Sequence, residues 1–195
     1  IEPPAIIATH LMEVLKKNAH KLLDRQKTQQ MLEHLKETHP AVVEGVIPDM
    51  ISLGTVTQVL RNLLKEKVPI RNMVKIIETI ADYAAYSKEA DVLTEYVRKA
   101  LAETITDHLK QDAGKLPVMT FEPRLEDQIM SAIQDGSGQA QNLGLNPPQV
   151  QRIFESLNQK KEDIVMEGSS PILLVSPPIR RAVRNFTEPV MPDLH

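Results

Sequence analysis

The chain has 195 residues, of which 42% are hydrophobic and 25% charged, and a formal net charge of −3; this lies inside the globular range and suits one large or two small cores. Neither half is basic, with 15 basic against 16 acidic residues through Asp112 and 8 against 10 beyond it, which argues against nucleic-acid binding because phosphate contacts need concentrated positive charge. The absence of cysteine excludes disulfides and thiolate metal sites and fits a reducing compartment, and no apolar run approaches the roughly 20 residues of a membrane-spanning helix.

Aromatic residues make up only 3% of the chain, so the cores must be aliphatic, a choice that favours helix packing. From Pro4 to about Gln111 apolar residues recur at helical spacing, the pattern of amphipathic helices with one buried face. The first such stretch carries Ile7, Leu11, Val14, Leu15, Leu22 and Leu23. A second follows Asp24, a helix N-cap whose carboxylate can accept from free backbone N–H groups, and carries Met31, Leu32 and Leu35 up to His39-Pro40. A short helix is expected from Ala41.

The clearest stripe is Val56, Val59, Leu60, Leu63 and Leu64, preceded by Ser52-Leu53-Gly54-Thr55 and ended by Val68-Pro69. Its polar face bears Arg61, Lys65, Glu66 and Lys67. Met73, Val74, Ile77, Ile80, Ala81 and Ala84 form the next stripe; Leu93, Val97, Leu101, Ile105 and Leu109 form another. Five or six helices with short joints predict an orthogonal bundle over residues 1–112.

At Asp112–Lys115 the pattern changes and a domain boundary is expected, with a smaller α/β part over residues 113–195. Leu116–Phe121 is short, apolar and bounded by breakers, as a strand is. A helix over Arg124–Gln134 and a mobile loop at Asp135–Gln139 follow. Asn146-Pro147 starts another helix, with Val150, Ile153, Phe154 and Leu157 on its apolar face. Ile172–Val175 predicts a central, fully buried strand, and Pro177-Pro178 opens a last helix to about Asn185. Val190–His195 approaches a further strand and stops, so the short sheet is expected to be truncated.

Motifs for chemistry are missing. No glycine-rich loop carries the Lys-Ser or Lys-Thr pair that cradles phosphate, and Gly136 and Gly138 read as a plain loop. His10, His20, His34, His39, His108 and His195 include no pair at the i, i+4 spacing of a helical metal site. Glu126-Asp127 and Glu162-Asp163 read as solvated helix surface, and Ser169, Ser170 and Ser176 sit outside any nucleophile elbow. The expectation is a protein with no catalytic residues, cofactor or metal.

Two readings compete for the polar helix faces. Val56–Lys67, the turn at Pro69 and the helix from Arg71 could form a winged-helix-like DNA reader, with Arg71, Asn72 and Lys75 toward the major groove; Glu78 and Asp82 on the same helix would oppose phosphate. Alternatively Arg61, Arg71, Glu78, Glu95 and Arg98 form complementary pairs across a repeated head-to-tail contact between copies, which closes into a ring when its rotation divides a circle.

Three segments decide between them: Pro3–Leu11 (PPAIIATHL), Leu60–Asn72 (LRNLLKEKVPIRN) and Leu93–Leu101 (LTEYVRKAL). Together with Ile172–Pro177 (ILLVSP) they resemble the C-terminal cytosolic region of the FlhA (FHIPEP) family of flagellar export-gate proteins. The resemblance spans essentially the whole chain, and Ala8–Leu11 with Asn18–His20 favours the flagellar branch over the virulence one.

That resemblance implies a non-enzymatic part of the type III secretion apparatus at the cytoplasmic face of the bacterial inner membrane. It also implies self-association into a nine-membered ring, and contact with other export components and chaperone–substrate complexes. Membrane attachment would come only through an N-terminal region outside this sequence. The chain would supply the last two of four cytosolic subdomains, a helical ring-building one and a moving α/β one. It begins at Ile1 without an initiator Met and ends short of a further strand of the family, as expected of a piece of a longer polypeptide.

Overall fold

A computed structural model describes residues 3–110, 116–136 and 143–195. The expected boundary at Asp112–Lys115 lies outside the described residues, as does most of the expected loop at Asp135–Gln139. The chain divides into two compact units, Ile1–His108 and Leu109–His195. Among the described residues the architecture is mainly helical, with one small two-stranded parallel sheet in the second unit.

In the first unit the helices are α1 (Pro3–Leu22), α2 (Arg25–Thr38), α3 (Pro40–Val43), α4 (Leu53–Lys65), α5 (Met73–Tyr83), α6 (Ala90–Ala100) and α7 (Ala102–Leu109). Their starts follow the capping chemistry of the sequence. Asp24 accepts from the Lys27 N–H at 2.7 Å, Ser52 from the Thr55 N–H at 3.0 Å and Asn72 from the Lys75 N–H at 3.1 Å, each satisfying a donor that the first turn leaves without a helical partner. The apolar run expected as one helix from Leu93 to Leu109 is divided at Leu101, which has φ −89° and ψ 13° and caps α6.

Helix α4 is the centre of this unit, packed against α1, α2 and α6, with α5 lying on α6 and α3. Val56, Val59, Leu60 and Leu63 are fully buried, as are Ile76, Ile77 and Ile80 of α5 and Leu93 and Val97 of α6. Each such side chain stabilises the fold by roughly 1.5–3 kcal/mol relative to exposure.

The first helix departs from expectation. Helix α1 forms, yet Ile7, Leu11, Val14, Leu15 and Leu22 are exposed, and of the predicted stripe only Leu23 is buried. Periodicity establishes that a helix has an apolar face; it does not say what covers that face.

The second unit contains β1 (Met119–Thr120), α8 (Pro123–Gln134), α9 (Pro147–Met166), β2 (Leu173–Leu174) and α10 (Pro177–Thr187), in the expected strand–helix–helix–strand–helix order. Asn146 and Gln149 form a reciprocal capping box at the start of α9, with both bonds at 3.0 Å. Strands β1 and β2 pair in parallel, Met119 opposite Leu173 and Thr120 opposite Leu174.

The second strand is not the fully buried element expected: Ile172 just before it is 7% exposed, but within β2 Leu173 is only half-buried and Leu174 is 58% exposed, because a sheet of two short strands leaves part of each strand uncovered. Val190–His195 forms no assigned strand, but the His195 N–H donates to the Pro171 carbonyl at 3.0 Å and the Leu173 N–H to the His195 carbonyl at 2.7 Å. These two bonds are the pattern of one parallel bridge between His195 and Ile172, the residue just before β2.

Ile129, Leu143, Leu145, Ile179, Val183 and Phe186 form the main core of this unit, and Met119, Leu157, Met191 and Leu194 a smaller one. Gly144 has φ +71°, and a Cβ there would sit 2.2 Å from Ala132 Cβ of α8. Only glycine permits that approach.

Candidate functional site

The sequence singled out five charged residues on α4, α5 and α6 and in the turn before α5, and the fold gives them different employment. The Arg61 Nε donates to the Leu23 carbonyl at 2.7 Å, tying α4 to the joint between α1 and α2. Arg98 Nη1 lies 2.8 Å from Glu66 Oε2, with the two side chains only 18% and 17% exposed. Both arginines therefore hold the unit's own elements together. Arg71 and Glu78 are exposed at the start and along the outside of α5, and Glu95 is half-buried on α6. Of the five, Arg71 and Glu78 are the most available to another molecule.

Two features of this surface escaped the sequence reading. The Asn62 amide donates to Asp91 Oδ1 at 2.9 Å and to Thr94 Oγ1 at 3.1 Å, bridging α4 to α6. No spacing rule finds such a bond, because its partners lie 29 and 32 positions away. The second is aromatic. Tyr83 and Tyr96 stack with centroids 3.8 Å apart and planes 11° apart, and Tyr86, 82% exposed, lies 6.1 Å from Tyr83. All three tyrosines of the chain gather where α5 turns into α6. Tyrosine and arginine are the side chains that most often anchor protein contacts, since each offers large area with a polar tip. Their scarcity here was the available signal.

Ser176 donates from its N–H to Glu126 Oε1 at 3.2 Å and from its hydroxyl to Glu126 Oε2. That carboxylate thereby sits at the N-terminus of α10, where the helix dipole favours negative charge. Among the described residues no group of three or more His, Cys, Asp or Glu side chains could hold a metal ion, and no helix is long and apolar enough to cross a membrane.

The DNA-reading alternative finds no support. Asn72, one of its intended base contacts, is spent on capping α5 through the Lys75 N–H, and Glu78 lies exposed on the same helix.

Comparison with known proteins points one way. The family described as FHIPEP matches residues 1–195. The chain is 41% identical to the flagellar biosynthesis protein FlhA of Bacillus subtilis (strain 168), over all of this chain but 28% of that protein's length. Among solved structures it resembles the Chlamydia pneumoniae CdsV protein, with a TM-score of 0.82 and 27% identity, over all of this chain and 54% of that one. CdsV in its complex with CdsO gives a TM-score of 0.81. A nonameric EPEC SctV-C, at 21% identity, shares the fold with a TM-score of 0.74 over 91% of this chain and 53% of that one.

Proposed function

Because the chain belongs to the FHIPEP family over its whole length, we propose that it is part of the cytosolic domain of a flagellar type III export gate, acting by binding proteins and not by catalysis. It spans 28% of the Bacillus relative, so membrane attachment at the inner membrane would come from elsewhere in the longer polypeptide. In this reading residues 1–112 build the ring and residues 113–195 form the α/β subdomain beside the export path. Partners are copies of the same chain, other export components and chaperone–substrate complexes.

The observation that carries the reading is the full-length family match joined to a surface suited to protein contact. Arg71, exposed just before α5, and Glu78, exposed on it, offer opposite charges, and Tyr86 offers a rigid aromatic anchor nearby in sequence. A head-to-tail contact uses two different patches and closes into a ring. The nine-fold assembly of SctV-C and the CdsV–CdsO complex favour a ring with an export component as partner. Glu95 contributes to the contact surface, while Arg61 and Arg98 keep it in shape from within.

Sedimentation velocity of the longer polypeptide containing the whole cytosolic portion tests this. Arg71→Glu and Glu78→Arg are each expected to shift ring-sized species toward monomer with the fold unchanged by circular dichroism. If both variants assemble like the parent, the α5 face is not the contact.

A further inference from the structure

Within the first unit, a groove of about 360 Å³ opens between α2, the end of α3, the loop that follows it and the first residue of α4. Leu32 and Val43 form its floor, 2% and 8% exposed, and Ile47, Pro48 and Leu53 its apolar walls. The volume lies in the range of roughly 300–1,000 Å³ typical of ligand sites. Pro48 has no N–H to offer and the floor is hydrocarbon, so the polar groups of a ligand can be met only at the rim.

That rim belongs mostly to one face of α2, where Gln29, Glu33 and Lys36 follow at helical spacing. Lys36 Nζ lies 3.1 Å from Glu44 Oε1, an ion pair that is complete in itself. Glu33 differs. Its Oε1 accepts from the Gln29 amide at 3.1 Å, and it makes no ion pair among the described residues. Asp49, exposed beside Pro48, makes none either. Arg25, one turn before Gln29, does not line the groove; it packs on Gly54, where a Cβ would meet its guanidinium at 3.2 Å.

The lining therefore holds two carboxylates against one ammonium, and the carboxylate left over is contacted only by a neutral amide. An apolar floor beneath such a group is matched by a side chain that is greasy along its stem and positive at its tip. Lysine and arginine lay their methylene chains on apolar surface while the charged head stays in water. Their N–H groups bind a carboxylate roughly twice as strongly as neutral donors do.

We propose that this groove binds a segment of another protein in which a lysine or arginine stands beside large aliphatic side chains, the aliphatic groups on Leu32 and Val43 and the cation on Glu33. The inference is independent of ring assembly, since none of the residues assigned to that contact lies here. Fluorescence anisotropy of the full chain tests it with labelled peptides that have Gly-Ser ends around a centre of Leu-Lys-Leu, Leu-Ser-Leu, Leu-Glu-Leu or Ser-Lys-Ser. The Leu-Lys-Leu peptide is expected to bind about tenfold more tightly than Ser-Lys-Ser and about threefold more tightly than Leu-Ser-Leu, the second margin shrinking as salt rises. Glu33→Lys is expected to reverse the order of Leu-Lys-Leu and Leu-Glu-Leu with Leu-Ser-Leu unchanged. Gln29→Trp, which sets a bulky ring at an exposed lining position, is expected to weaken all three leucine peptides, and Glu155→Lys on α9 to change none. Equal binding of Leu-Lys-Leu and either Leu-Ser-Leu or Ser-Lys-Ser, no binding of Leu-Lys-Leu, or an unaltered order in Glu33→Lys would overturn the proposal. A reversed order cannot come from misfolding, which would weaken every peptide alike.

Discussion

Arg98 Nη1 and Glu66 Oε2 lie 2.8 Å apart in a pair more than four-fifths withdrawn from solvent, and this contact joins the end of α4 to the last turn of α6. A charged residue that looks available on a helical wheel is thus committed to its own fold. Removing one member leaves the other's charge in a poorly solvated place, which costs more than the pair contributes over an apolar substitute. Arg98→Ala is expected to destabilise the chain by about 2–3 kcal/mol, below the range for a fully buried pair because some solvent reaches it. Urea denaturation of Arg98→Ala, Glu66→Ala and the double variant measures the coupling. Strictly additive losses would show that the two side chains do not act as a pair.

Helices α1 and α4 both carry apolar stripes, but only one is covered. Leu63 is fully buried and Leu15 is 46% exposed. Leu63→Ala should cost about 3 kcal/mol through lost burial and the cavity left behind, and Leu15→Ala no more than about 0.5 kcal/mol. Denaturation midpoints of the two variants check this. A comparable loss at both positions would mean that α1 is covered in solution.

Gly144 is required twice over, by its φ of +71° and by the approach of Ala132 Cβ. Gly144→Ala is expected to destabilise by about 2–4 kcal/mol, combining left-handed strain with overpacking between α8 and the loop before α9. A thermal or urea transition within about 0.5 kcal/mol of the parent would show that the loop shifts without cost.

Lys67 lies in the same backbone region as Gly144, with φ 59°, but there the strain belongs to a side chain that could be removed. Lys67→Gly is expected to raise stability by about 1 kcal/mol, the usual penalty for a residue with a Cβ in the left-handed region. Chemical denaturation of the variant beside the parent checks this. A variant no more stable than the parent would remove the evidence that strain is stored there.

Much of this was legible in order of residues alone. Caps at Asp24 and Asn146, the stop at Pro40 and the stripes of α4 and α5 are local signals, set by hydrogen bonds and side-chain periods within a few residues, and each led to the element observed. The segments carrying the family resemblance are also local, so membership could be read before any coordinates. Leu101 shows the limit even here, since an unbroken apolar stripe at every fourth residue passed across a residue that ends α6.

What tertiary structure alone decided was who faces whom. Arg61 and Arg98 read like Arg71 in the sequence, yet two of them serve contacts 38 and 32 positions distant along the chain, and one lies open to solvent. The exposed stripe of α1 and the stacked Tyr83 and Tyr96 likewise arise from elements far apart in order brought close in space. Local order determines which face of a helix is greasy or charged; only packing determines whether that face is spent on the chain's own core or left to meet another protein.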